Sequence, residues 1–274
     1  MIQPRMTLND GNFMPQLGVG VWQVPEADTA RVVRDALAIG YRLFDGAAAY
    51  KNETGLGEGL RQTGVLRDQL FVTSKLWNSD HGHDAALRAC EASLDRLGLD
   101  YMDLYLIHWP VPAADLYVDS WRALIRLKEE GRVRSIGVAN FHEAHLRRLI
   151  DETGVTPAVN QIELHPTLTQ TELRQTDRSL GIVTQSWSPL GRGDLDLPEL
   201  RTIAEQHGCT PAQVVLRWHL QNDLSVIPKS VSAERLAENF HALDVELSGA
   251  DMAVLDGLDR GHRTGPDPDT FDMR

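Results

Sequence analysis

The chain is short of cysteine, of positive charge and of long apolar runs. Only two cysteines, Cys90 and Cys209, occur in 274 residues, and both lie in helix-like sequence. Neither has metal-ligand spacing, so structural thiols in a reducing compartment are expected rather than a disulfide framework. Lys and Arg number 27 against 39 Asp and Glu, a net charge of −12. Nucleic acids and anionic membrane surfaces both call for a basic footprint, so neither is an expected partner. No run approaches the roughly 20 apolar residues of a bilayer span, and Met1 to Asn12 has no apolar core of signal length. A cytoplasmic protein is expected. No Ser or Cys stands in a nucleophile turn. A glycine-rich dinucleotide fingerprint is also missing, since Gly18-Val19-Gly20 leads into Val21-Trp22-Gln23 without a third glycine.

What is present is an ordinary globular composition, 42% hydrophobic and 24% charged. Its acidity sets a condition: a phosphate-bearing ligand needs a local basic cluster working against the global field. The N-terminal Asn9-Asp10-Gly11-Asn12, between Met6-Thr7-Leu8 and Phe13-Met14-Pro15, is a hairpin signal. A short strand at 17–21 follows, and then strand-like and helix-like stretches alternate. Helices are expected at 26–39, 52–62, 84–97, 120–130, 142–150, 171–180, 198–207, 211–221 and 233–241. The strand ends fall at Asp45, Lys75, His108, Asn140, Gln161, Trp187 and Lys229, in steps of 30, 33, 32, 21, 26 and 42 residues. Eight such alternations in about 250 residues predict a (β/α)8 TIM barrel, with an N-terminal β-hairpin and extra helices. A doubly wound open sheet is the runner-up, and it lacks its phosphate turn. One domain spanning 1–274 is expected, with a Gly/Pro/Asp-rich tail loosely held from about Gly261.

Strand ends of an α/β barrel converge on one face, so Asp45, Lys75 and His108 can meet there although the chain separates them. Tyr50 joins them from the loop after Asp45. A nearby ammonium stabilises phenolate, so Lys75 is expected to lower the Tyr50 pKa toward the working pH. Asp45 can hold the Lys75 ammonium and offset its burial. His108 can orient a carbonyl oxygen. His81 and His83 lie in a polar loop without a third partner, so no metal is expected. The four residues suit protonation of an oxygen that gains negative charge, and a hydride donor must complete such a reduction. Asn140 and Gln161 are placed for an amide such as a nicotinamide carboxamide, and Trp187 for stacking on a flat ring. Lys229, Ser230 and Arg235 around a helix N-terminus form a site for a phosphate monoester, the basic cluster required above.

The segment Gly40-Tyr41-Arg42-Leu43-Phe44-Asp45, continuing to Tyr50-Lys51-Asn52-Glu53, resembles the first signature of the aldo-keto reductases. Val133-Arg134-Ser135-Ile136-Gly137-Val138-Ala139-Asn140-Phe141 resembles their middle signature, and Ile227-Pro228-Lys229-Ser230 their last. The likeness covers roughly residues 5 to 260 and is nearest to the bacterial 2,5-diketo-D-gluconate reductases. It implies a (β/α)8 barrel that reduces aldehydes and ketones with NADPH. Tyr50 would be the general acid, tuned by Lys75 and Asp45, with His108 orienting the carbonyl. Asn140 and Gln161 would bind the carboxamide, Trp187 would stack on the nicotinamide, and Ser188 and Leu190 would follow the pyrophosphate. Lys229, Ser230, Val231, Arg235 and Asn239 would surround the 2′-phosphate and adenine. Trp22, Trp77 and Trp109 would wall the substrate pocket.

Two positions depart from that pattern. Gly46 stands where relatives carry Ser or Thr, and Ala139 where they carry Ser, a hydrogen bond to the carboxamide worth about 1 kcal/mol. The expected partner is a small polar carbonyl, either a diketo sugar acid or simple activated aldehydes, acted on by a monomer. Two other readings stay open. One is an NADPH-binding redox sensor with little turnover; the other is an isomerase or aldolase using Lys75 as a Schiff-base amine.

Overall fold

The computed structural model describes residues 3–193 and 195–273. The hairpin strands β1 (Arg5–Thr7) and β2 (Phe13–Pro15) pair antiparallel. Eight strands follow: β3 (Val19–Gly20), β4 (Leu43–Asp45), β5 (Phe71–Leu76), β6 (Met102–Ile107), β7 (Val133–Ala139), β8 (Val159–Glu163), β9 (Val183–Trp187) and β10 (Ser225–Val226). They lie side by side in chain order, and all neighbours are parallel. The two outer strands then meet: the Gly18 amide donates to the Val226 carbonyl at 2.8 Å, and the Val226 amide to that of Gln16 at 2.8 Å. The sheet is thus closed into the expected barrel.

The hairpin covers the end where strands begin. Asn9 donates to the Pro157 carbonyl and Asn12 to that of Arg134, while Asp10 pairs with Lys128 at 2.7 Å. Met14 reaches inward to share a buried cluster with Leu43, Leu104, Leu106 and Ile227. The opposite end is left for function.

Most helices connect successive strands: α1 (Glu26–Ile39), α2 (Glu53–Arg61), α3 (His83–Leu97), α4 (Tyr117–Glu129), α5 (Glu143–Thr153) and α6 (Thr171–Ser179). Two helices, α7 (Pro198–His207) and α8 (Pro211–Gln221), fill the longest crossover. α9 (Ala233–Phe240) and α10 (Gly249–Asp256) come after β10. Both prolines open their helices as expected, and α8 adds a capping box between Thr210 and Gln213. Helix α4 begins at Tyr117 rather than Ser120, because Tyr117 and Val118 are buried in the main core. Asp119 therefore sits in the first turn, where the helix dipole favours a carboxylate, instead of capping it. Helix α2 tolerates three glycines for a packing reason. A Cβ on Gly57 would lie 1.9 Å from the Leu97 carbonyl oxygen, so the glycine lets α2 close onto the end of α3.

The expectation of a loose tail is corrected. Thr264 and Gly265 donate backbone hydrogen bonds to Glu163, Phe271 packs on Trp109 with ring centroids 4.4 Å apart, and Asn78 donates to the Met273 carbonyl at 2.7 Å. Composition alone reads as flexible, but these partners come from distant strand ends. Among the described residues no helix is long and apolar enough to cross a membrane.

Candidate active site

Along each strand alternate side chains point into the barrel. That inward set starts apolar and ends polar. In β4 it runs Leu43 then Asp45; in β5 it runs Phe71, Thr73, Lys75; from β6 it runs Leu104, Leu106 and then His108 just past the strand. The polar ends meet as the spacing predicted. The Lys75 ammonium lies 2.5 Å from Asp45 Oδ1, 2.9 Å from the Gly46 carbonyl oxygen and 3.2 Å from the Tyr50 hydroxyl. The rings of Tyr50 and His108 meet edge to face at 5.7 Å, and those of Trp77 and His108 at 5.2 Å. The loop that carries Tyr50 is tied down by Asn52, which donates to the carbonyls of Val21 and Val24. A Cβ on Gly46 would lie 2.9 Å from the Leu56 side chain.

Burial opposes the Lys75 charge, but Asp45 and Tyr50 outweigh it, and the ammonium is held above its ordinary pKa. The expected lowering of the Tyr50 phenol is corrected. Burial pushes it up, Asp45 adds to this, and the opposing pull of Lys75 does not win. Tyr50 therefore keeps its proton at neutral pH. Burial first, then the charges of Lys75 and His81, push His108 well below the usual imidazole value, so its ring is neutral. His81 is buried rather than looped into solvent, and burial lowers it to about 4.

A cavity of about 680 Å³ opens over these groups. Trp22, Trp77 and Trp109 line it, as do Asn140, Gln161, Trp187, Ser188 and Lys229. Asn140, at φ 62°, donates to the His108 carbonyl at 2.9 Å and accepts from the Trp187 indole at 2.8 Å. Both Gln161 amide hydrogens are used, on Asp45 and Gln185 at 2.7 Å each, while its oxygen has no protein partner among the described residues. The remaining expected residues lie off this cavity. Leu190 faces a separate small crevice, and the Ser230 hydroxyl bonds within its own loop to the Ser232 backbone. Val231 is exposed and its carbonyl accepts from Arg31; Asn239 is buried on α9. Arg235 is exposed one turn into that helix. Neither Arg235 nor Lys229 has an ion-pair partner among the described residues. The sequence reading missed Arg192, whose guanidinium lies 5.5 Å from the Trp22 ring centre. It also missed the tail residues Pro266, Phe271 and Met273, which complete the cavity wall.

The family profile described as the aldo/keto reductase family matches residues 14–260. The chain belongs to the aldo/keto reductase family. It is 57% identical over 273 residues to an aldo-keto reductase of Mycolicibacterium smegmatis, covering 99% of both chains. It is 52% identical over 267 residues to the methylglyoxal reductase DkgA of Escherichia coli strain K12, covering 96% of both. A variant of Gox0644 solved in complex with NADPH superposes with a TM-score of 0.95 at 49% identity, covering 99% of each chain. As a member of this family the protein is an oxidoreductase whose reaction class is carbonyl reduction. Its own residues fit a nicotinamide dinucleotide. Asn140 retains one N–H and one lone pair, Gln161 an open oxygen, and Lys229 and Arg235 stand as uncompensated cations.

Proposed function

We propose that the protein reduces small, activated carbonyl compounds with NADPH, and that Tyr50 is the general acid. The observation that carries this reading is the buried contact of Lys75 with Asp45 and the Tyr50 hydroxyl, at 2.5 and 3.2 Å. NADPH supplies the hydride when bound. Tyr50 holds a proton on its hydroxyl and gives it to the carbonyl oxygen as negative charge develops there. Lys75 stabilises the phenolate left behind, and Asp45 keeps Lys75 charged and in place. Neutral His108 orients the carbonyl through a hydrogen bond. Asn140 and Gln161 hold the carboxamide, and Trp187 offers its face to the nicotinamide. Ser188 lies along the pyrophosphate, and Lys229 and Arg235 take the 2′-phosphate. Ser230, Val231, Leu190 and Asn239 frame the far end of the dinucleotide by backbone and packing.

The walls of the cavity are mostly flat and apolar: Trp22, Trp77, Trp109 and Phe271. They suit a compact carbonyl with one apolar face. The likeness to proteins named methylglyoxal reductase favours a 2-oxoaldehyde over a diketo sugar acid. Arg192 and Lys51 at the cavity edge are the features that would favour the acid. Steady-state kcat/KM with NADPH for methylglyoxal, benzaldehyde and 2,5-diketo-gluconate, measured side by side, decides between them. Methylglyoxal is expected to lead. A diketo acid that leads by about a hundredfold, close to 3 kcal/mol of transition-state preference, would move the assignment to the sugar acid. Absence of turnover on all three would favour the redox-sensing module instead.

A further inference from the structure

Glu163, at the C-terminal end of β8, is completely buried, yet it belongs neither to the group around Tyr50 nor to the cavity wall. It lies two residues beyond Gln161 and so on the same inward face of the strand. Its Oε1 accepts from the Thr264 amide at 2.7 Å and the Thr264 hydroxyl at 2.5 Å, and its Oε2 from the Gly265 amide at 2.9 Å. Arg263 stands 3.8 Å away, and outside the tail His165 stands 3.2 Å away. A buried carboxylate is tolerated only when such charge-assisted bonds are complete. Removing the tail would leave this one, among the described residues, with His165 alone.

The tail approaches at a point where no side chain fits. A Cβ on Gly265 would lie 2.5 Å from Trp187 Cη2 and 3.0 Å from Glu163 Oε2. From Gly265 the chain runs on to Pro266, Phe271 and Met273 in the cavity wall. A second anchor holds it there, where Asp269 meets His142 at 2.9 Å and His145 at 3.5 Å.

We propose that Glu163 is a positioning residue: its carboxylate latches residues 264 and 265 against the edge of Trp187 and thereby sets the wall that small carbonyl substrates meet. This rests on the reading of the cavity given above as the carbonyl site. Two variants of the full chain test it. Glu163→Gln puts an amide N–H2 against one of the tail donors. Gly265→Ala leaves the carboxylate intact and displaces the tail from Trp187. Limited trypsin digestion followed by mass spectrometry reports release of the peptide after Arg263, independently of activity. Both variants are expected to lose it at least about tenfold faster than the wild type. The KM for methylglyoxal is expected to rise about tenfold with kcat changed by less than about threefold. Wild-type cleavage rates with an unmoved KM in both variants overturn the latch. A lowered melting temperature with KM unmoved overturns it too, since that is what a merely structural pin would give. A wild-type protein that turns over no carbonyl defeats the functional reading instead, and the proteolysis still judges the latch.

Discussion

The two halves of the barrel mouth treat charge in opposite ways. In the first half, strands β4 to β6 bring Asp45 and Lys75 together out of water, each the partner of the other. In the second half the buried carboxylates have no lysine. Glu163 is satisfied mainly by tail donors; away from the mouth, near the starts of β8 and β9, Asp177 is satisfied by Thr184 and Asn160, both neutral. The cations of that half, Lys229 and Arg235, are left at the surface. On the proposed reading, the difference separates a group assembled in advance from one that waits for a ligand. A buried ion pair that must act on a proton needs fixed geometry before substrate arrives. A phosphate brings its own charge, so the cations that receive it stay solvated until then.

The largest expected effect lies in the assembled half. Tyr50→Phe removes the proposed proton donor and leaves the ion pair beneath it. Turnover should fall by about 10²–10⁴-fold while NADPH binding stays near wild type. A mutant that keeps a tenth of wild-type kcat would show that Tyr50 is not the acid. In the waiting half the effect should appear in binding. Arg235→Ala is expected to weaken NADPH by about 1.5–3 kcal/mol and to leave NADH almost untouched. Equal losses for both cofactors would break the comparison.

The smallest effect concerns Asp177 and sharpens the contrast between buried carboxylates. Burial without a cation raises its pKa to about 7. Between the ordinary 3.8 and about 7 the folded chain holds a proton that the unfolded chain releases. Stability from this group is therefore full below about pH 4 and falls as pH rises toward 7, by up to about 1.4 kcal/mol per pH unit. Asp177→Asn keeps the shape and one acceptor oxygen for the Asn160 amide, while its own N–H2 can donate to the Thr184 hydroxyl, which donates to Asp177 in the wild type. Denaturation across this range should show a flatter pH profile for the variant, and parallel profiles would refute the assignment. Glu163 runs the other way. Burial works against its charge, yet the bonds from His165, Thr264 and Gly265 hold it down at about 2. Its contribution is present above the ordinary carboxylate value of 4.5 and is lost only as pH falls toward 2.

Much of this was legible in the chain alone, and the reasons are local. Strand periodicity and regular spacing placed Asp45, Lys75 and His108 at neighbouring strand ends, because a parallel barrel turns order along the chain into order around its mouth. Proline marked the starts of α7 and α8 for the same reason, since it acts through its own backbone. The sign of the Tyr50 shift was not legible. It depends on how far burial outweighs one ammonium, which is a property of packing. The tail was misread because Gly, Pro and Asp look flexible until partners are known. Those partners, Glu163, Trp109 and His142, lie 101 to 162 residues away along the chain, from Thr264 back to Glu163 and from Phe271 back to Trp109. The sequence by itself determined the barrel and the identity of the groups at its mouth, because alternation and spacing are carried by neighbours in the chain. Only the tertiary structure decided the protonation of Tyr50, the burial of His81 and the closure of the tail, because each is set by residues that folding alone brings into contact.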